Sequence, residues 1–418
     1  MRIEYMLAER TARYEKGSRS TVMMRLASIT VGLGIAVMII ALAVVAGFRQ
    51  QINGALRGLM ADVVVCDVTG LLRQEAESVA PSAEFVRQMG ELSGIRSVAP
   101  QVVLGGMAKS GDNVAGLQIK GVDGSYDTSW WREVLVEGSL PDFNAEHRGK
   151  ELLLSLATAR LLDVGVGDKV EMLFAMGEER PRRDRFKVSG IYTTGLEEMD
   201  LKMALGDVRD VRRIAGWGDD EVSGYDVMLS EGASADEVSQ AIFQLINRLD
   251  EEGDESVGTL VANDIRERFP VVFDWLKAHS INARVIIVII MVVVLFNMTA
   301  AMLIMVLDRT AMIGSLKALG MRNGAIRRMF LYRAARLFAL GALWGNVVAL
   351  ALVGVQALWH PVELDPSGYM LNELPVRVEL WRVVLLNVGA LVVTVVTMLL
   401  PSAMIARISP SESLKYKL

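Results

Sequence analysis

The chain has 418 residues, of which 52% are hydrophobic and 22% charged, with a formal net charge of −5. So high an apolar share argues against an ordinary soluble enzyme and for a chain with membrane spans. The single cysteine, Cys66, excludes an intramolecular disulfide framework, so any external domain must rest on its own apolar core.

Residues 1–25 form a short basic segment carrying Arg2, Arg10, Arg13, Lys16, Arg19 and Arg25. The first charge-free window, Leu26–Phe48, lies between Arg25 and Arg49. At ~1.5 Å per residue it crosses a hydrocarbon core of ~30 Å. It is longer than a secretory h-region and lacks a clear cleavage site, so it reads as an uncleaved signal anchor. Its glycines, in "GLGIAVMIIALAVVAG", suit close helix packing better than phosphate binding.

Residues 49–280 read as a large external domain of two lobes. They hold 25 basic and 40 acidic residues, a net of about −15. "ADVVVCDV" (61–68) reads as a strand, and 81–92 as a helix with Phe85, Val86, Met89 and Leu92 on one face. Residues 98–122 read as strands with glycine-rich turns. Residues 151–174 read as strand, helix, Gly-Asp turn and strand, and 185–195 as a further strand. Residues 235–250 form an amphipathic helix with Val238, Ile242, Leu245, Ile246 and Leu249 on one stripe. A helix over 264–280 runs toward the second span, with Pro270 as a kink or break. The acidic "DEEGDE" (250–255) lacks EF-hand spacing and reads as a solvated turn. Cys66 reads as a structural thiol.

The second span is assigned to 281–307, the third to 337–358 and the fourth to 383–406, around the charge-free windows Val285–Leu307, Leu337–Val362 and Val383–Ala406. Between the second and third, 308–336 carry Arg309, Lys317, Arg322, Arg327, Arg328, Arg333 and Arg336 against Asp308 alone. The loop 359–382 carries Glu363, Asp365, Glu373 and Glu379, and the tail 407–418 is again mostly basic. This asymmetry puts both termini and 308–336 in the cytoplasm and leaves 49–280 outside.

Catalytic and metal chemistry are absent from the pattern. His147, His279 and His360 are far apart, without metal-ligand spacing, and there is no phosphate-binding G-x-x-x-x-G-K-[ST] loop. Asn297, Asn346, Asn387, Thr394 and Thr397 fall inside spans, where a polar group needs a protein, water or head-group partner. Hydrogen bonding between helices is the plainer role for them, and lining a substrate path the sharper one. Met312, Ile313, Leu316 and Leu319 recur on one face of a short helix, and Gly320 can end it in the left-handed conformation. Such a face suits either a partner's groove or the lipid interface.

The layout of one span, a large external domain and three further spans resembles the MacB/FtsX/LolC-LolE class of ABC-transporter permeases. "GLGIAVMIIALAVVAGFRQQI" (32–52) is similar to the first span of its lipoprotein-releasing members. "DRTAMIGSLKALGMRNGAIRRMFLYRAA" (308–335) resembles the cytoplasmic signature, and "PSAMIARISPSESLKY" (401–416) the family's ending. "ELLLSLATARLLDVGVGDKV" and "IYTTGLEEMDLKMALGDVRDVRRIAGW" (191–217) are similar to the external domain of the LolC/LolE type. One position departs: many relatives carry an acid just before the Ile-Gly of the signature, where this chain has Met312.

The resemblance implies an α-helical membrane protein of four transmembrane helices with a large α+β periplasmic domain, MacB-like, inserted between helices 1 and 2. It implies a coupling helix of Met312, Ile313, Gly314, Ser315, Leu316, Lys317, Ala318, Leu319 and Gly320 that docks on the ATPase. It also implies a lipid path between the first two spans. The candidates are Val37, Ile40, Ala41, Val44 and Phe48 in the first and Ile287, Ile290, Met291 and Val294 in the second. By the same resemblance the chain is no enzyme by itself. A separate LolD-like ATPase binds ATP and Mg, and the permease pairs as a homodimer or a LolC/LolE-like heterodimer. Triacylated lipoprotein cargo passes from the inner membrane to a LolA-like periplasmic carrier, with membrane lipids and no nucleic acid involved. Two other roles within the class stay open at this point: an FtsX-like signalling permease that activates a cell-wall hydrolase, and MacB-like mechanotransmission in export.

Overall fold

The structure, a computed structural model, describes residues 19–69, 77–174, 181–365, 369, 371, 373–403 and 405. Most of the basic N-terminal segment and the tail 407–418 lie outside the described residues. Two compact units are present, one of Met1–Arg49, Trp275–Val362 and Leu374–Leu418, the other of Gln50–Asp274 with Glu363–Glu373.

Four helices of the first unit are long and apolar enough to cross a membrane. Helix α1 is Arg19–Met60, and the three others are numbered below in chain order. The first runs past its apolar window at both ends, the second at its N-terminal end, and the third extends fourteen residues before its window, because nothing in the flanking sequence stops them there. The basic stretch after 322 is not a separate helix. It forms the first turns of the third spanning helix, Asn323–Trp359, since no proline interrupts it. The helix proposed over 264–280 is broken. A short α8, Ile265–Arg268, ends at Phe269, whose φ of −124° and ψ of 54° are non-helical. Helix α9, Pro270–Asp308, then starts on the proline. A residue before proline avoids the helical region, and proline itself fits the first helical position.

Within this unit α1 packs through glycines. A Cβ on Gly32 would lie 2.8 Å from the Gly341 carbonyl oxygen, and one on Gly345 would lie 2.3 Å from the Gly32 carbonyl oxygen. Toward α9, a Cβ on Gly34 would meet Val294 Cγ2 at 2.7 Å. Small residues are needed because lipid is as apolar as the helices, and association there relies on close contact of backbones. Around these crossings lies an apolar core that includes Ile35, Met38, Ile39, Val294, Met298, Ile313, Ile326, Phe330 and Phe338.

The second unit is α+β and built on one ten-stranded sheet among the described residues. Its strands are β1 (Val63–Asp67), β2 (Ile95–Ser110), β3 (Asn113–Val122), β4 (Leu135–Gly138), β5 (Glu151–Ser155), β6 (Lys169–Phe174), β7 (Arg182–Tyr192), β8 (Met203–Asp207), β9 (Gly224–Leu229) and β10 (Leu260–Asp264). They run in the order β10-β1-β9-β2-β3-β8-β5-β7-β4, with β6 pairing β2 and β7. Five helices follow the turns between them: α2 (Ala83–Gly90), α3 (Ser129–Glu133), α4 (Leu156–Leu162), α5 (Glu197–Asp200) and α6 (Val208–Ala215). A sixth, α7 (Ala235–Glu251), carries the predicted stripe, which is buried in full. Capping fixes their starts: Ser82, Ser155, Asp207 and Ser234 each accept a backbone N–H of the first turn. The alternation along β1 places Val63 and Val65 in the main core under these helices. Val64 and Cys66 therefore point to the other face of the sheet. Past α7, Asp254 in the acidic stretch accepts from Ser82 Oγ and Ser256 Oγ at 2.6 and 2.5 Å, which makes that turn a structural staple.

Candidate coupling site

The coupling stretch folds as α10, Thr310–Ala318. Leu319 follows, and Gly320 takes a φ of +89°, the left-handed conformation its lack of a side chain permits. The Gly320 N–H donates to Lys317 O and the Met321 N–H to Leu316 O, which closes the helix end. The apolar face read from the sequence is divided. Ile313 is fully buried in the unit's own core and Gly314 is buried beside it. Met312 and Leu316 pack against the same core, half-buried. Ile313 is thus unavailable as a surface anchor, because its stripe is satisfied internally. The open face consists of Ala311, Ser315, Ala318 and Leu319, with Leu319 84% exposed. Three small side chains and one large apolar one, at i, i+4, i+7 and i+8, suit close approach of a partner around a single anchor.

Basic side chains tie this region to the last spanning helix, which comprises α12 (Leu380–Thr397) and α13 (Leu399–Ser402) after α11 (Asn323–Trp359). Lys317 Nζ donates to Ile405 O at 2.6 Å. Arg327 donates to Leu399 O at 2.7 Å and to Ser402 Oγ at 2.5 Å. Carbonyls at a helix C-terminus lack intrahelical donors and carry partial negative charge, so cations belong there. The basic pattern of 308–336 in the sequence does not reveal this role.

The candidate lipid-path residues separate into two sets. Val294 is buried, and Ile40, Ile287, Ile290 and Met291 pack half-buried against the same core. Phe48 is buried too, its ring edge-on to Trp275 at 5.5 Å. Val37 is exposed, with Ala41 and Val44 half-exposed. Among the polar residues in spans, Asn346 and Asn387 exchange amide hydrogen bonds of 2.8 and 3.0 Å and also donate to Ala342 O and Val383 O. Thr397 donates to Val393 O.

A second joint lies where α1 ends in the sheet unit. Lys120 of β3 is fully buried, ion-paired with buried Asp226 of β9, and donates to Leu59 O at 2.9 Å. Tyr126 donates to Gly58 O at 3.4 Å and accepts from Trp131 Nε1 at 3.4 Å. Trp130 lies so close to Gly58 that a Cβ there would fall 2.0 Å from its ring. Asp62 then accepts from Arg57 and from the Leu229 N–H. Burial pushes the Asp226 carboxyl up, and Lys120 only partly pulls it back. The ammonium of Lys120 is pushed down by burial and brought back above its ordinary value by Asp226 and Tyr126. Sequence reasoning did not find this joint. Its signal was a lysine inside the strand "GLQIKGV", where an unpaired charge is not tolerated.

Residues 26–245 match the MacB-like periplasmic core domain, and residues 284–410 match the FtsX-like permease C-terminal domain. The chain belongs to the FtsX-like permease family with a MacB-like periplasmic core. Within that family the permease is of the LolC/LolE type. It is 25% identical to the lipoprotein-releasing system transmembrane protein LolC of Xylella fastidiosa (strain 9a5c), over 93% of this chain and 92% of that one. It is 20% identical to LolE of Haemophilus influenzae, over 96% and 97%. Among solved structures, the periplasmic region of MacB from Actinobacillus actinomycetemcomitans is similar at 14% identity and a TM-score of 0.35. That match covers 52% of the permease and 95% of the MacB region. The match of residues 26–245 to the MacB-like periplasmic core domain makes the inserted unit the periplasmic domain. The family makes the chain a membrane subunit of an ABC transporter.

Proposed function

We propose that this permease works with a separate ATPase to lift lipoproteins out of the inner membrane and pass them to a periplasmic carrier. The observation that carries this reading is the end-to-end similarity to LolC, over 93% of one chain and 92% of the other. In this arrangement both termini and α10 face the cytoplasm, in line with the basic residues there. Two permeases, identical or of two kinds, pair with two ATPase subunits that bind ATP and Mg. The permease contributes no catalytic residue. Each buried CH₂ of an acyl chain is worth ~0.8 kcal/mol, so extracting a triacylated anchor costs tens of kcal/mol before an acceptor offsets it. ATP and a hydrophobic carrier answer that cost.

The open face of α10, with Leu319 as anchor, docks on the ATPase. Its displacement reaches the fourth span through Lys317 and Arg327. At the other end of the chain's first helix, Lys120 and Tyr126 hold the last turn of α1 against the sheet. Acyl chains meet the exposed side of the first span at Val37, Ala41 and Val44. Ile40, Phe48, Ile287, Ile290, Met291 and Val294 become available only if α1 and α9 separate.

The test is transfer of a triacylated lipoprotein from proteoliposomes to a soluble carrier. ATP should drive it with the native chain, and Leu319→Asp should abolish it while leaving complex assembly measurable. Leu316→Asp should also lower the yield of folded permease, because Leu316 packs inward. ATP hydrolysis without transfer, in an assembled native complex, would overturn this function.

A further inference from the structure

A cavity of about 700 Å³ lies on the face of the sheet opposite the main core. Its size is that of a ligand site. Its floor takes residues of β10, β1, β2 and β3, with Ser223 just before β9, and its walls include the last turn of α1, Met203 of β8 and the segment from α8 to Pro270. From these observations, and resting on the release reading above, we infer that this cavity holds an extended stretch of cargo polypeptide, the tether next to the lipid anchor.

The lining chemistry selects the occupant. Gln101, Gln118 and Asn263 bring amides, which both donate and accept and so match the N–H and C=O of a peptide bond. Asn263 Nδ2 meets no acceptor among the described residues, and a turn of its amide toward the cavity would let a peptide carbonyl supply one. Met60, Met199 and Met203 supply apolar surface that adapts to side chains of different shape, as cargoes of varied sequence demand. An anionic lipid head group fits worse. Asp67, Glu77 and Glu267 line the cavity with Lys202 and Arg268, so carboxylates outnumber cations there. A neutral backbone is indifferent to that balance. The position adds a consequence: Leu59, whose carbonyl Lys120 holds, is in the wall, so an occupied cavity bears directly on the joint at the end of α1.

Cys66 lines the cavity and is the chain's only cysteine, so its alkylation by N-ethylmaleimide reports occupancy. The measurement uses the full permease with its ATPase in nanodiscs. The probe is a synthetic peptide with the sequence that follows the acylated cysteine of the lipoprotein used in the transfer assay, without acyl chains. The peptide should slow Cys66 alkylation several-fold. Asn263→Leu and Gln118→Leu should each raise the peptide concentration required by about tenfold, the effect of one lost hydrogen-bonded anchor, scored against the variant's own peptide-free rate. No protection by the peptide would overturn the inference, and so would protection by lysophospholipid alone, which would make the cavity an amphiphile site. A bulky maleimide on Cys66 should block transfer, and transfer at the native rate would also overturn the assignment. If the native complex transfers no lipoprotein yet the peptide still protects Cys66, the release reading fails and the peptide site stands.

Discussion

The bundle and the periplasmic domain solve the same packing problem by opposite means. In the bundle, α1 meets its neighbours where glycines let backbone touch backbone, and its polar pair, Asn346 with Asn387, is neutral. In the periplasmic domain a large apolar core forms under the helices, and the buried polar pair is a full ion pair, Lys120 with Asp226. The difference follows from the solvent. Water drives apolar side chains together and leaves enough surplus stability to bury a charged joint. Lipid offers no such drive, so shape and neutral hydrogen bonds take over.

The sharpest way to break this contrast is to remove one charge. Lys120→Met strands Asp226 and the Leu59 carbonyl in the interior and should destabilise the periplasmic domain by about 3–5 kcal/mol, read as a lower midpoint in urea. Lys120→Met with Asp226→Leu should regain most of that loss, since a well-packed apolar pair can replace a buried ion pair. If the double variant is stable but no longer transfers lipoprotein, the joint matters for movement rather than for folding.

Next in size is the glycine contact. Gly345→Leu must displace α1, because its Cβ alone would lie 2.3 Å from the Gly32 carbonyl oxygen. Overpacking of this kind costs about 1–3 kcal/mol, to be measured by unfolding of the purified permease in denaturing detergent. The same substitution at Gly354, where a Cβ meets nothing within 4 Å, should be silent. The amide pair comes below it. A double-mutant cycle with Asn346→Leu and Asn387→Leu should give a coupling near ~0.6 kcal/mol, the average for polar pairs in membranes. A coupling several times larger would mean that neutral pairs in lipid carry as much as the domain's ion pair.

These regions also differ in how far the sequence discloses them. The four spans are legible because a charge-free window has few other uses, and the stripe of α7 because its period is 3.6. The orientation of α10 was not legible. Met312, Ile313, Leu316 and Leu319 share a helical face, but only the bundle shows that Ile313 is taken inward and Leu319 left out. β4, β8, β9 and β10 escaped because short strands such as "LVEG" or "MALGD" lack the alternation that marks a half-buried strand. The ion pair joins residues of β3 and β9 that lie far apart in the chain, so Lys120 announces only that a partner must exist. The break at Pro270 was legible as a location, and the pre-proline geometry at Phe269 decided between kink and stop.

The smallest effect tests the edge of the cavity, where the domain's charges still reach a side chain open to a reagent. Burial pushes the Cys66 thiol above its ordinary range, Arg268 draws it down and Asp67 raises it. Only the thiolate reacts with a maleimide, so at fixed pH a higher pKa means slower alkylation. Arg268→Gln removes the one lowering influence and should move the pH–rate curve of Cys66 alkylation upward. Asp67→Asn should move it downward. With an occupant in the cavity both shifts should grow, because displaced water no longer screens the neighbouring charges. Shifts left unchanged when the peptide binds would mean instead that it seats away from Arg268, at the Gln118 side of the cavity.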